Sequence, residues 1–452
     1  MMQKRQRGKH RLSGCPQEIR ENAVMQKNAG NKAASESGLQ PSDYWSIAAI
    51  MGLMGAFFWA IRGTSGYGGS QGGLLAGLGW GVLWYAFSNL DSTGRQRPYG
   101  HARMIAAITF GIAFGGMTGY GVYIAWLQGK FYLNYPEGVR DIAPWTGYAM
   151  LFICGLHWGG VAGAFMAWCA PRARLGWQDW TARIAAGILG AVAAGVVVRA
   201  FPQCFLPFYH EGIYDVAENA TCRRALGSIR NIAPHVGLFM GFLAYEVARR
   251  DRRAVAMMLV MALGFAIPFT AGGYWHTMHG SALKLDWWKN WEMSIGLGGG
   301  LAFGLAFYLF NRPDGGAARP ITAKECIWGA GFPLWFASFT IFRNAYIGFT
   351  KIHELDWPAW LGIVVWLAFL IPVSIAYGLY IVRVRQGVGP MPVSLRVCAA
   401  VLLLIVVAGY VVSIHAGSLP WNRLLIALYT GYVGVSLALY FFNLRRFSIA
   451  HL

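Results

Sequence analysis

The chain has 452 residues, of which 56% are hydrophobic and only 13% charged, with a mean hydropathy of +0.41; a soluble globule carries about 25% charged residues, so an ordinary soluble fold is excluded. The net charge of +19 does not indicate nucleic acid, because the Lys and Arg residues fall in short clusters between apolar stretches, where they set membrane orientation. The composition is that of an all-α, polytopic membrane protein.

Residues 1–43 are basic, polar and aperiodic, and they lack the apolar core of a signal peptide. They are expected to form a disordered cytoplasmic tail. Beyond them, stretches of about 20 apolar residues recur near 44–61, 67–88, 103–126, 146–169, 181–201, 231–248, 253–272, 291–310, 324–342, 359–382, 395–414 and 421–443. Basic residues mark every second boundary: Arg95, Arg97 and Arg103; Arg172 and Arg174; Arg249, Arg250, Arg252 and Arg253; Arg312, Arg319 and Lys324; Arg383, Arg385 and Arg396; Arg445 and Arg446. This is the positive-inside pattern. It predicts about twelve spans in an inner (plasma) membrane with both termini cytoplasmic.

Four of the expected spans carry a glycine pair four residues apart: Gly73 and Gly77, Gly159 and Gly163, Gly237 and Gly241, Gly300 and Gly304. Glycines at that spacing let helix backbones approach closely. Their matching depth predicts four pseudo-repeated helical hairpins over 44–311, followed by four further helices over 312–452. Two residues before the first glycine of each pair stand Gln71, His157, His235 and Gly298. The two histidines thus occupy equivalent places, and intramembrane histidines face the bundle interior or a functional path. Haem or metal ligation by them is weighed, but a hydrogen-bonded core role is the commoner outcome.

The first expected span ends in Arg62, followed by a glycine-rich run to Gly73. An Arg at that depth either snorkels to water or binds a carboxylate, phosphate or sulfate. The run lacks the spacings of nucleotide-binding loops. From the loop after the seventh expected span into the start of the eighth run Trp275, His276, His279, Lys284, Asp286, Trp287, Trp288, Lys289, Trp291 and Glu292. Such a mixture is either a wet aromatic rim or a site for a polar ring compound. It contains no HExxH or zinc spacing, so no metal is assigned and no cofactor is indicated. Cys204 and Cys222 share one expected outer loop and are the pair that could be bridged.

These features point first to a transporter for a small polar, anionic or sugar-like solute, with Arg62, Gln71, His157, His235, Trp275, Trp288, Lys289 and Glu292 as binding residues. The alternatives are a membrane enzyme acting on a polar or lipid-linked substrate, with His276, His279, Asp286 and Glu292 as acid/base candidates, and a structural or cofactor-holding subunit. The implied partners are the solute, the bilayer and a further copy or a membrane complex, with no nucleic acid. Arg62 and Glu292 are expected to pair across one outward-facing cavity.

Overall fold

A computed structural model describes residues 38–62, 69–90, 97–116, 120–170, 175–282, 285–313, 322–352, 355–387, 395–415 and 420–445. The expected tail to residue 37, the run 63–68, Lys284, His353, Glu354 and the boundary arginines Arg95, Arg172, Arg174, Arg319 and Arg446 lie outside the described residues.

The fold is all-α apart from one hairpin. Its helices are α1 (Pro41–Arg62), α2 (Gly69–Ser88), α3 (Arg103–Phe114), α4 (Tyr123–Leu127), α5 (Trp145–Cys169), α6 (Trp177–Ala200), α7 (Ala220–Ala248), α8 (Arg252–Gly272), α9 (Trp287–Phe310), α10 (Phe332–Ile352), α11 (Ala359–Arg385), α12 (Leu395–His415) and α13 (Pro420–Leu439). Among the described residues, seven helices are long and apolar enough to cross a membrane: Pro41–Arg62, Trp145–Cys169, Trp177–Ala200, Arg252–Met278, Trp287–Phe310, Trp360–Arg385 and Arg423–Leu444. The other expected spans also fall on helix, but on shorter or more polar pieces.

Three local features depart from the sequence reading. The expected continuous span 103–126 is broken, because α3 stops at Phe114 before Gly115 and Gly116, and a separate short helical piece is described from Tyr120. Two short strands, β1 (Lys130–Asn134) and β2 (Glu137–Asp141), pair antiparallel over α7, in a loop too polar to read as strand. Cys204 and Cys222 are not bridged: Cys204 is exposed in a 3-10 turn, whereas Cys222 is buried with its thiol 3.7 Å from the Tyr132 carbonyl of β1.

Helices α1, α2, α3, α5, α8 and α9 each pack on the next, and α9 returns to α1, so the six close a ring. Glycine sets the spacing at three of its joints. A methyl group at Gly73 or Gly77 would strike the α3 backbone at Ala113 or Thr109; at Gly159 or Gly163, the α8 backbone at Met261 or Met258; at Gly300 or Gly304, α1 at Met51 or Ala48. At such distances even a Cβ is excluded, and dispersion between the backbones replaces the hydrophobic driving force that lipid cannot supply. The fourth pair, Gly237 and Gly241, seats α7 on α6 at Gly190 and Ala186, outside the ring.

Aromatic side chains fill the ring. Trp59 lies 5.9 Å from Trp80 and 5.3 Å from Phe265, and Trp80 lies 5.0 Å from Phe303. Their edge-to-face and tilted contacts are the arrangements aromatic quadrupoles prefer. The indole N–H groups also tie helices together: Trp80 donates to the Met51 carbonyl, Trp84 to Tyr99, Trp158 to Ile112 and Trp291 to Phe269. Trp59 is the exception, for its Nε1 has no partner.

Candidate functional site

Arg62 is the last residue of α1 and is only 1% exposed. Its guanidinium carbon sits 4.1 Å from the Trp59 ring centroid and 4.8 Å from that of Trp158. Nη2 donates to the Tyr120 hydroxyl at 3.0 Å, whereas Nε and Nη1 have no acceptor among the described residues. Tyr120 opens a 3-10 turn beyond the break in α3, with its ring 6.0 Å from Trp158, 5.7 Å from Phe269 and 5.8 Å from Trp291. A desolvated cation–π contact contributes about 2 kcal/mol, and the hydroxyl bond about 1.5–3 kcal/mol. An unpaired ion in the interior costs several kcal/mol, so this cage leaves a cation whose missing acceptor is its largest unmet term. The unpartnered Trp59 N–H adds a further donor beside it.

The aromatic stretch from Trp275 to Glu292 forms a second group close by. Lys289 on α9 donates to Glu292 at 2.6 Å and to the Ala60 carbonyl at 2.7 Å, tying α9 to the last turn of α1. Trp288 donates to the other Glu292 oxygen at 3.1 Å. The expected Arg62–Glu292 pair is therefore not formed, because Lys289, three residues earlier on the same helix, reaches the carboxylate first. Asp286 caps α9 by accepting from the Lys289 amide. Trp275 donates to Ser294 and stacks on Trp287.

His276 is buried, with its ring 5.5 Å from Trp288, 5.1 Å from Trp291 and 5.7 Å from the exposed His279. Neither of its ring nitrogens has a partner among the described residues. His157 and His235, expected to occupy equivalent places, do come together, with ring centroids 5.7 Å apart. Since a carbonyl can only accept, His157 Nε2 donates to Gly115 and His235 Nδ1 to Asn231, four residues earlier in α7. Among the described residues no three His, Cys, Asp or Glu side chains are grouped to hold a metal. Gln71 is exposed on the first turn of α2.

Sequence reasoning missed Trp59, Tyr120 and Trp158. Trp59 lies three residues before Arg62, one helical turn away, and is the one of the three that spacing would have revealed. Tyr120 and Trp158 come from chain segments far from Arg62, and only the ring closure brings them to it.

A second buried arginine shows the same chemistry completed. Arg183 on α6 lies 5.3 Å from the Trp168 ring centroid and 5.1 Å from that of Trp180. Its Nε donates at 2.6 Å to Glu246 on α7, and the same carboxylate oxygen accepts from the Trp168 indole. Compared with protein-family models, with curated proteins and with solved structures, the chain matches none of them.

Proposed function

We propose that the chain is an integral membrane transporter for a small polar anion, held at Arg62. The observation that carries this reading is the fully buried guanidinium with two nitrogens lacking acceptors, beside an indole N–H that also lacks one. A carboxylate or similar planar anion supplies the missing acceptors bidentately, much as Glu246 does for Arg183. The setting supports transport: the expected span 103–126 is broken after Phe114, and interrupted helices are how transporters place binding groups inside a bundle.

In this reading the ring is three hairpins, α1–α2, α3–α5 and α8–α9, each joined to the next by one of the glycine seams. The fourth pair, on α7, belongs to a hairpin set outside. The chain crosses the membrane about twelve times with the basic boundaries inside, and α10 to α13 flank the ring. Trp59, Trp80, Phe265 and Phe303 form the barrier that must part for the solute to pass.

Purified protein reconstituted in liposomes is expected to accumulate or exchange a small carboxylate, with Arg62→Lys unable to support it. Binding without flux across the bilayer would sink transport while leaving the Arg62 site standing. A second reading has one observation in its favour: the buried nitrogens of His276, without a partner among the described residues, suit an acid/base in a membrane enzyme. Loss of activity in His276→Gln with anion binding intact would favour it.

A further inference from the structure

Outside the ring, α6 and α7 pack along Gly190–Gly237 and Ala186–Gly241 and then separate. The opening is a cavity of about 270 Å³ lined by Ala191, Val192, Gly195, Val196, Arg199, Arg230 and Pro234. Its floor is apolar and one end is basic. Val192 and Val196 are 58% and 54% exposed, and only 17% of the most apolar stretch of α6 is buried, so in a bilayer this groove faces acyl chains. A missing side chain helps to keep it open: a Cβ at Gly195 would meet only Pro234 Cγ, at 3.9 Å.

The two arginines stand at one level. From the Gly190–Gly237 crossing, Arg199 is about 13.5 Å along α6 and Arg230 about 10.5 Å along α7 at 1.5 Å per residue. Both are exposed, and neither takes part in an ion pair among the described residues. Arg199 also lies in the last turn of α6. Pro234, lacking an N–H, leaves the carbonyl of Arg230 without its helical donor, so an acceptor stands beside the two cations. Two guanidinium groups over an apolar groove, with a freed backbone carbonyl on one of the lining residues, complement a phosphodiester with a hydroxyl-bearing head and an acyl chain below it.

We propose that this groove is a binding site for an anionic phospholipid, its phosphate between Arg199 and Arg230 and one acyl chain along Val192, Gly195, Val196 and Pro234. The full-length protein in detergent, titrated with dioleoyl phosphatidylglycerol and followed by native mass spectrometry, should retain that lipid at least tenfold more tightly than dioleoyl phosphatidylcholine. Arg199→Gln with Arg230→Gln should erase the preference, and Gly195→Trp, which fills the groove and leaves both arginines, should weaken retention as well. Equal retention of the two lipids would overturn the proposal. So would full displacement by millimolar inorganic phosphate, which would make the site one for free anion, or a change of oligomeric state without any change in lipid retention, which would make the groove a seat for a partner helix.

Discussion

Arg62 and Arg183 are matched in everything except their acceptor. Each is buried, each lies on a long apolar helix, and each is flanked by two tryptophan rings at 4.1–4.8 Å or 5.1–5.3 Å. Arg183 is given Glu246, and the result is a closed α5–α6–α7 joint in which one carboxylate oxygen accepts from both the guanidinium and Trp168. One of its nitrogens, Nη1, also goes without a partner, but its charge is matched. Arg62 is given, among the described residues, only the Tyr120 hydroxyl. The difference separates a charge used for assembly from a charge held ready for a ligand.

The comparison breaks most directly at Glu246. Replacing Glu246 with Gln leaves Arg183 buried without its counter-charge, which costs about 3–5 kcal/mol, and thermal unfolding in detergent should register it; an unchanged transition would mean that the pair contributes no stability. Arg62→Ala is expected to do the reverse. Anion binding measured by calorimetry should fall at least about 100-fold, roughly 2.7 kcal/mol, while stability changes by less than about 1 kcal/mol, because the lost ring contacts are offset by relief of an unpaired ion. Arg62→Lys should recover little, since a point charge lacks the planar fork. A stable Arg62→Ala protein that binds as before would place the ligand elsewhere.

The joints that hold the two arginines in their different surroundings can be tested next. Gly159→Ala should destabilise by about 1–3 kcal/mol, because the new methyl collides with the Met261 carbonyl. Gly431→Ala on α13, where a Cβ meets nothing within 4 Å, serves as the control and should be neutral or slightly stabilising. Equal effects at the two positions would deny the seams any special closeness.

The smallest effect concerns Cys222 under the β1–β2 hairpin. Burial pushes its thiol up to about 11, so at pH 8 only about one part in a thousand is thiolate, the nucleophilic form. Maleimide labelling of the folded protein at pH 8 should therefore modify the exposed Cys204 and spare Cys222, with the Cys222 rate rising as the pH approaches that value. Rapid labelling of both at pH 8 would show that the hairpin does not cover α7.

What the sequence decided by itself was the class of the molecule and the places where helices touch. Apolar length without charge permits little but helix in a bilayer, since every backbone group must be satisfied within its own segment. Glycine pairs four apart mark a flat face wherever they occur, and all four pairs do lie at helix contacts. The tertiary structure decided which helix each face meets. It brought Tyr120 and Trp158 to Arg62, across separations that no local spacing encodes. It gave Glu292 to Lys289 instead of Arg62, because two side chains three residues apart on one helix meet at almost no cost in chain entropy. A residue's type and depth could mark Arg62 as a costly charge, but only the closed ring determines that no carboxylate among the described residues pairs with it.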